Sequence, residues 1–449
     1  MKKILTILLG IALILPLYSQ EADPDPEDEE ELALELEPTP EKPKKKFDFA
    51  RQYFEMGSGI SAGIDNGIAG TSELFTKDKI IKIDMSEIAH NVPNEGAGFN
   101  FGLNAGFYLD IMNIKIGQGL WNFGFTSSVD GGIKFNITKS LFELIAEGNA
   151  KKHNNSGKMG ASGGIYTEMG LTGSAKYQVA GKTLRAGIKP ALFTPAIYIP
   201  SSTGIYYDLK TEKEGKDGLF LETRGEITIY TPTSFENIEP GRFIGGSNGF
   251  DISLEGEYAL FPSLVISDHD IGGLDVGGSL SHIPFAPAVL TSQMKMGLKP
   301  FSIDLEGEKL LAGEKPETPQ FEFDKLTYNS NANKQIFRPF RFDVYARYKP
   351  LKTEFVVIRP NIGFSVNGNK GDEQGYFNAG LEARLNLRNI FSFYLGSGCQ
   401  ETIWKQKMGL VLNLRAFELD LEVALRDQTF PGCFTGHGLN IFLGSRIGW

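Results

Sequence analysis

Leu439-Asn440-Ile441-Phe442-Leu443-Gly444-Ser445-Arg446-Ile447-Gly448-Trp449 alternates residue by residue and stops on an aromatic, the pattern of a final outer-membrane β-strand. Leu439, Ile441, Leu443, Ile447 and Trp449 share one face, and Asn440, Gly444, Arg446 and Gly448 share the other. One side suits lipid and the other a wet lumen, so the pattern places the chain in a membrane.

Working backward, the same dyad recurs. Phe417, Leu419, Leu421, Val423 and Leu425 alternate with Glu418, Asp420, Glu422 and Arg426, and Met408, Leu410, Leu412 and Leu414 alternate with Lys407, Gly409, Asn413 and Arg415. Phe377, Ala379, Leu381, Ala383, Leu385 and Leu387 oppose Asn378, Gly380, Glu382, Arg384, Asn386 and Arg388. Val356, Ile358, Ile362, Phe364 and Val366 oppose Arg359, Asn361 and Ser365, and Phe340, Phe342, Val344, Ala346 and Tyr348 oppose Arg341, Asp343, Tyr345 and Arg347. Each face runs about 9–11 residues, enough for a tilted strand to cross the hydrocarbon core. Tight connections at Pro350–Thr353, Arg388–Ile390 and Arg415–Phe417 alternate with elaborate ones at Gly368–Gly375 and Gln428–Thr435. If the last strand ends in the periplasm, the tight set is periplasmic and the elaborate set faces outside. The terminal strand also resembles the signal read by the barrel-assembly machinery of diderm bacteria, so that machinery and the lipid bilayer are expected partners.

The first half is less regular. Strands are expected near 99–111, 120–135, 165–179, 184–197, 204–210, 219–230, 250–260, 274–282 and 301–311, with parity failing between Asp268 and Pro300. Both termini on one side require an even strand number, and about 14 is expected, within roughly 12 to 16. Ser140-Leu141-Phe142-Glu143 reads as a capping box opening a short helix, as a lumenal plug or a surface helix in a long loop. A second helical signal lies near Thr71–Thr76.

Lys2 and Lys3 before the apolar run Ile4–Leu17 read as a signal peptide over residues 1–20. Residues 21–46 carry eleven acids against four lysines, with five prolines, and cannot bury enough surface to fold; a disordered periplasmic leader is expected. Residues 47–97 are assigned to a plug-like segment and 98–449 to an all-β transmembrane antiparallel barrel. Nothing after Leu17 approaches a continuous apolar span and mean hydropathy is only -0.17, which excludes a helical membrane protein. The 53 glycines and 33 phenylalanines suit a barrel, glycine thinning the inner wall and phenylalanine tolerating lipid.

The expected lumen lining is Arg341, Asp343, Arg347, Arg359, Asn361, Glu382, Arg384, Arg388, Glu418, Asp420, Glu422, Arg426 and Arg446. Such residues can satisfy one another by cross-strand ion pairing, pass polar solutes, or attract carboxylates. Phe321, Phe323 and Tyr328 in one long loop, and Phe430 and Phe434 in the last, are candidates for capturing a hydrophobic ligand, or for packing on one another or dipping into the lipid interface. Five histidines show no metal-ligand spacing and no Gly-x-Ser-x-Gly elbow occurs. Asp268-His269-Asp270 reads as a turn. No enzymatic activity, cofactor, metal or nucleic-acid partner is expected. Cys399 and Cys433 lie in hairpin loops two strands apart on one side of an exported chain without competitors, and a disulfide between them is expected.

Several stretches carry a family resemblance: Phe337-Arg338-Pro339-Phe340-Arg341-Phe342-Asp343, Tyr348-Lys349-Pro350, Ile358-Arg359-Pro360-Asn361-Ile362-Gly363-Phe364, Gly249-Phe250-Asp251, Tyr258-Ala259-Leu260-Phe261-Pro262 and Ser281-His282-Ile283-Pro284. Together they resemble spirochaete outer-membrane proteins described as FadL-like. The resemblance implies a 14-stranded barrel with an N-terminal hatch, importing long-chain fatty acids or other hydrophobic solutes. The family's Asn-Pro-Ala hatch motif is absent, Val92-Pro93-Asn94 being the nearest approach. A general diffusion porin and a surface adhesin or structural barrel are the alternatives.

Overall fold

The structure is a computed structural model that describes residues 53–66, 90, 92, 96–147, 154–213, 216–233, 248–261, 264–266, 269–271, 273–297, 302–306, 327–351, 354–369, 372, 375–387, 390–400, 403–414 and 416–448. The signal peptide and acidic leader expected over 1–46, the helical signal near Thr71–Thr76, and Phe321, Phe323, Arg388 and Trp449 lie outside these residues.

The chain opens with β1 (Phe54–Asn66), β2 (Ala97–Ile116), β3 (Gly119–Ile137), helix α1 (Lys139–Glu147), β4 (Asn154–Val179) and β5 (Lys182–Ile199). It continues through β6 (Gly204–Lys213), β7 (Lys216–Thr231), β8 (Gly249–Phe261), the small hairpin β9 (Leu264–Ile266) and β10 (His269–Ile271), and β11 (Leu274–Ala286). Five short strands follow: β12 (Ala288–Leu290), β13 (Ser292–Gly297), β14 (Ser302–Glu306), β15 (Thr327–Asn329) and β16 (Lys334–Ile336). The last seven are β17 (Phe340–Tyr348), β18 (Val356–Val366), β19 (Gly375–Leu387), β20 (Phe391–Gln400), β21 (Ile403–Asn413), β22 (Phe417–Asp427) and β23 (Gly438–Gly448).

Every neighbouring pair is antiparallel, and the sheet closes on itself where β1 pairs with β23 from Glu55↔Gly448 to Asp65↔Gly438 without a register shift. The rim holding Phe54 and Gly448 is called the terminal rim below, and the opposite one the far rim. Sixteen long strands build this wall, not the fourteen expected. The additional pair is β6 and β7. Strand β6 pairs with the same edge of β4 as β5 does, beyond the turn at 200–203, and β7 touches β5 only at Tyr230↔Tyr198 before β8 takes over that edge. They are stacked end to end above β5 and β8, so they heighten the wall on one side rather than widen it. Strands β13 and β14 continue along β7, and β15 pairs with β13.

Two further expectations change. The barrel begins at Phe54, not at residue 98: the front of the expected plug, Phe54–Asn66, is a wall strand, and both Asn66 and Ala97 stand at the far rim. Glycine and serine in Gly57-Ser58-Gly59-Ile60-Ser61-Ala62-Gly63 dilute the apolar alternation and conceal the strand. Phe391–Gln400, absent from the strands expected above, alternates normally and pairs with β19 and β21. Helix α1 forms where the capping box lies, and caps the far rim: Ser140 Oγ lies 2.7 Å from the Tyr207 hydroxyl and donates to the Ser156 carbonyl at 2.8 Å, with Phe142 buried beneath.

Sidedness follows the dyad. Phe377 (59 % exposed), Leu381 (53 %), Leu395 (50 %), Met408 (54 %) and Ile441 (53 %) stand outward in a continuous apolar belt, against which only lipid would be favourable. At the terminal rim the turns are tight: Ala180 and Gly181 join β4 to β5 with φ of 51 and 76, the both-positive geometry whose twist matches a two-residue hairpin. Inside, Tyr108, Tyr345 and Tyr394 each lie across a glycine directly opposite on the neighbouring strand, Gly57, Gly277 and Gly409. A Cβ there would collide with the ring, so these glycines let the aromatics lie flat and keep the lumen clear.

Candidate functional site: a charged lumen in two chambers

A buried ionic crosspiece sits midway down the lumen. Arg338, in the segment leading into β17, binds Asp251 of β8 in bidentate fashion, Nε to Oδ2 at 2.8 Å and Nη2 to Oδ1 at 2.7 Å, while its Nη1 donates to Glu168 of β4. Lys189 of β5 donates to the other Glu168 oxygen at 2.8 Å. The guanidinium lies 4.8 Å from the centre of the Phe193 ring, and His282 Nδ1 is 3.0 Å from the Pro339 carbonyl, donating to it. Arg338, Glu168 and Asp251 are all buried. Burial of this depth requires mutual pairing, since an isolated charge would cost several kcal/mol. Asp251, His282 and Arg338 come from three of the motifs that carry the family resemblance, which the fold brings to one point.

The crosspiece separates two cavities that share Lys189, Ser281 and His282 as lining. Among the described residues, the far chamber, of about 730 Å³, is lined by seven cationic side chains, Lys134, Lys158, Lys189, Arg338, Arg341, Lys405 and Arg426, and three acids, Asp130, Glu168 and Asp372. The chamber toward the terminal rim, of about 410 Å³, carries Asp110 and Glu255 against Lys189. Near the far rim a second buried pair pins the seam: Arg426 Nη2 lies 3.2 Å from Asp65 Oδ2, reaching from β22 past β23 to β1 over Gly63, and Asn100 donates to Asp65.

The other expected residues that the structure describes stand on the polar side of the wall in looser groups, and Arg388 lies outside the described residues. Arg347 binds Asp275 at 2.6 Å and Glu257 at 3.2 Å, and Arg359 stacks 4.3 Å over Tyr345. Asp343 and Asn361 lie across Gly363 and Gly380. Glu382 pairs with Lys407 at 2.7 Å, and Arg384 stands 4.0 Å from Glu382 and 5.0 Å above the Tyr394 ring. The Tyr394 hydroxyl donates to Glu422 at 3.0 Å and lies 3.2 Å from Asp420; Glu418 pairs with Arg446 at 3.4 Å. Asp65, Glu168, Lys189, Asp251, Glu257, Asp275, Arg338 and Lys407 complete these groups and are not among the expected lining residues. Glu168 is the one acid of β4 and Lys189 one of three cations in β5, and no alternating charge pattern marks either.

In the last loop the aromatics pack together. Phe430 is edge-on to Trp404 at 5.3 Å and to Phe434 at 5.6 Å, and Trp404 shares the outward face of β21 with Met408 and Leu410. This cluster therefore stands at the outer edge of the far rim. Tyr328 is exposed on β15. No disulfide joins Cys399 and Cys433, contrary to expectation. Cys433 is buried in the turn Gly432–Phe434, where its thiol donates to the Trp404 carbonyl at 3.2 Å. Burial, reinforced by the nearby Asp427 carboxylate, pushes the Cys433 thiol up to about 11.

A family model described as a family of unknown function (DUF5723) matches residues 49–252. No curated protein matches the chain. Solved structures similar to it include the P. putida toluene transporter TodX (8 % identity over 89 % of this chain and 91 % of that one, TM-score 0.42) and the Ralstonia pickettii toluene transporter TbuX (9 %, 89 % and 90 %, TM-score 0.40). A Pseudomonas aeruginosa FadL homologue is similar at 7 % identity over 88 % of this chain and 90 % of that one, with a TM-score of 0.37. Likeness of this order carries no substrate over to the present chain.

Proposed function

We propose that the chain is a transport channel of the bacterial outer membrane, with its terminal rim in the periplasm and its far rim outside. The observation that carries this reading is a closed wall with an apolar belt outside and two polar chambers inside. Residues 1–20 would direct export and 21–46 would hang in the periplasm as an acidic tail. The finer reading is import of hydrophobic solutes such as long-chain fatty acids, supported by the motifs quoted from the sequence. A second reading, passage of small polar solutes, is favoured by the charged lining itself, since a wet polar interior is what an open porin has.

The full chain, reconstituted into planar bilayers and liposomes, separates them. Uptake of a fluorescent long-chain fatty acid with little ionic current is the expected result for the first. Large, steady conductance without fatty-acid binding would establish the second, and neither current nor uptake would overturn the channel.

A further inference from the structure

We propose that Phe337-Arg338-Pro339 is a gate between the two chambers, shut in this structure and opened by letting go of side-chain hydrogen bonds while the wall stays closed. The inference rests on the channel reading. It begins where two wall strands part: β11 and β17 pair as far as Ser281↔Arg341, after which β11 continues along β8 to Ala286↔Phe250 without β17. His282, at the parting, is held in the left-handed conformation with φ of 58, which is strained for a residue with a side chain.

On the other side of the gate the chain is anchored. Strands β12 and β16 form a two-stranded ribbon, Ala288↔Ile336 to Leu290↔Lys334, whose Leu290 and Ile336 are fully buried with Tyr198 and flanked by Tyr166 and Tyr230. Lys334 Nζ lies 5.7 Å from the centre of the Tyr198 ring and 6.0 Å from that of Tyr230. At Gly249 of β8 an added Cβ would stand 2.8 Å from the Ala288 nitrogen, so the glycine lets the ribbon lie against the wall. Moving the ribbon would uncover this apolar contact, whereas moving the three residues after it would not.

Those three residues lie between strands, and side chains hold their backbone. Asn369, buried in the loop between β18 and β19, accepts from the Phe337 amide at 2.8 Å and donates to the Phe337 carbonyl at 2.9 Å. His282 donates to the Pro339 carbonyl, and Pro339 has no amide to place. The loop is fixed in turn, since Asp372 accepts from the Tyr198 hydroxyl and from the Ser201 amide at 3.0 Å. Arg338, on leaving, would abandon Glu168 to its pair with Lys189 and Asp251 to lumenal water, so opening breaks polar side-chain bonds and no strand pairing. The two cavities meet at Lys189, Ser281 and His282, beside this segment, and its position therefore sets whether they communicate.

Single-channel recording of the full chain in planar bilayers with KCl tests the gate. Brief, infrequent openings are expected from the intact chain. Asn369→Ala removes both bonds to Phe337 and should raise the open probability at least about tenfold, since one net hydrogen bond is worth about fivefold in such an equilibrium. Arg338→Gln should raise it further, with heat-modifiable gel mobility as the check on folding; Asn369→Ala leaves the crosspiece in place and carries the test alone where Arg338→Gln fails to fold. Unchanged open probability in folded Asn369→Ala would overturn the gate. So would a steadily open intact chain, a larger current step without more frequent openings, or no current from any of these proteins. In each of those cases fatty-acid uptake by the intact chain still decides the channel reading separately.

Discussion

The Arg338 crosspiece and the ion pairs of the last five strands are both made of inward-facing charge, yet they are different materials. Arg338, Glu168 and Asp251 have side chains no more than 6 % exposed and hold one another by bidentate and shared hydrogen bonds across β4, β8 and the segment before β17. Lys407 and Glu382 are 32 % and 23 % exposed and face lumenal water. Charge in a barrel lumen can thus be a strut or a lining, and burial decides which.

The sharpest way to break this distinction is Arg338→Ala. It strands two carboxylates in a buried site and should lower unfolding free energy by about 3–5 kcal/mol, read from urea unfolding in lipid vesicles. A loss below about 1 kcal/mol would reduce the crosspiece to lining. Next in size, Leu421→Arg places a charge on the lipid face and should cost about 2–4 kcal/mol near mid-membrane, whereas Glu422→Gln, one residue along and inside, should cost less than about 1 kcal/mol. Similar costs for the two would mean that the faces are reversed. Lys407→Gln should change stability by less than about 1 kcal/mol, and raising salt should erase even that difference. The smallest effect concerns the far-rim turn, where Cys433 should alkylate at least about tenfold more slowly than Cys399 in the folded protein, and faster as pH rises toward its elevated pKa. Under denaturing conditions without reductant both thiols should react in full; protection of both would restore the disulfide.

The same contrast explains what could be read in advance. Strands β17–β19 and β21–β23 were legible because their lipid face is a run of Phe, Leu, Ile and Val with polar residues between, and the belt must be apolar whatever the fold does elsewhere. Strand β1 was not, because glycine and serine make room there for Tyr108, Phe442 and Arg426. Strands at the places of β6 and β7 could be seen, though shorter than they are, but no local signal tells a strand stacked above its predecessor from one set beside it. Arg338, Asp251 and His282 stood out as motif residues. Their meeting could not be seen, because it depends on partners 87 and 57 residues away along the chain.

The seam between β1 and β23 has a temporal side. Ser58 and Ser445, whose hydroxyls lie 3.2 Å apart across it, are separated by 387 residues. The first strand of the wall therefore waits for the last one to be made. Until then one edge of β1 offers a row of vacant amide and carbonyl groups, and a glycine-rich strand has little apolar surface to hold it in place meanwhile. Such an intermediate is exposed to pairing with the wrong chain, and slow closure follows from the large sequence separation of the contact. The Asp65–Arg426 pair across the seam then acts as a latch that can form only once the register is right.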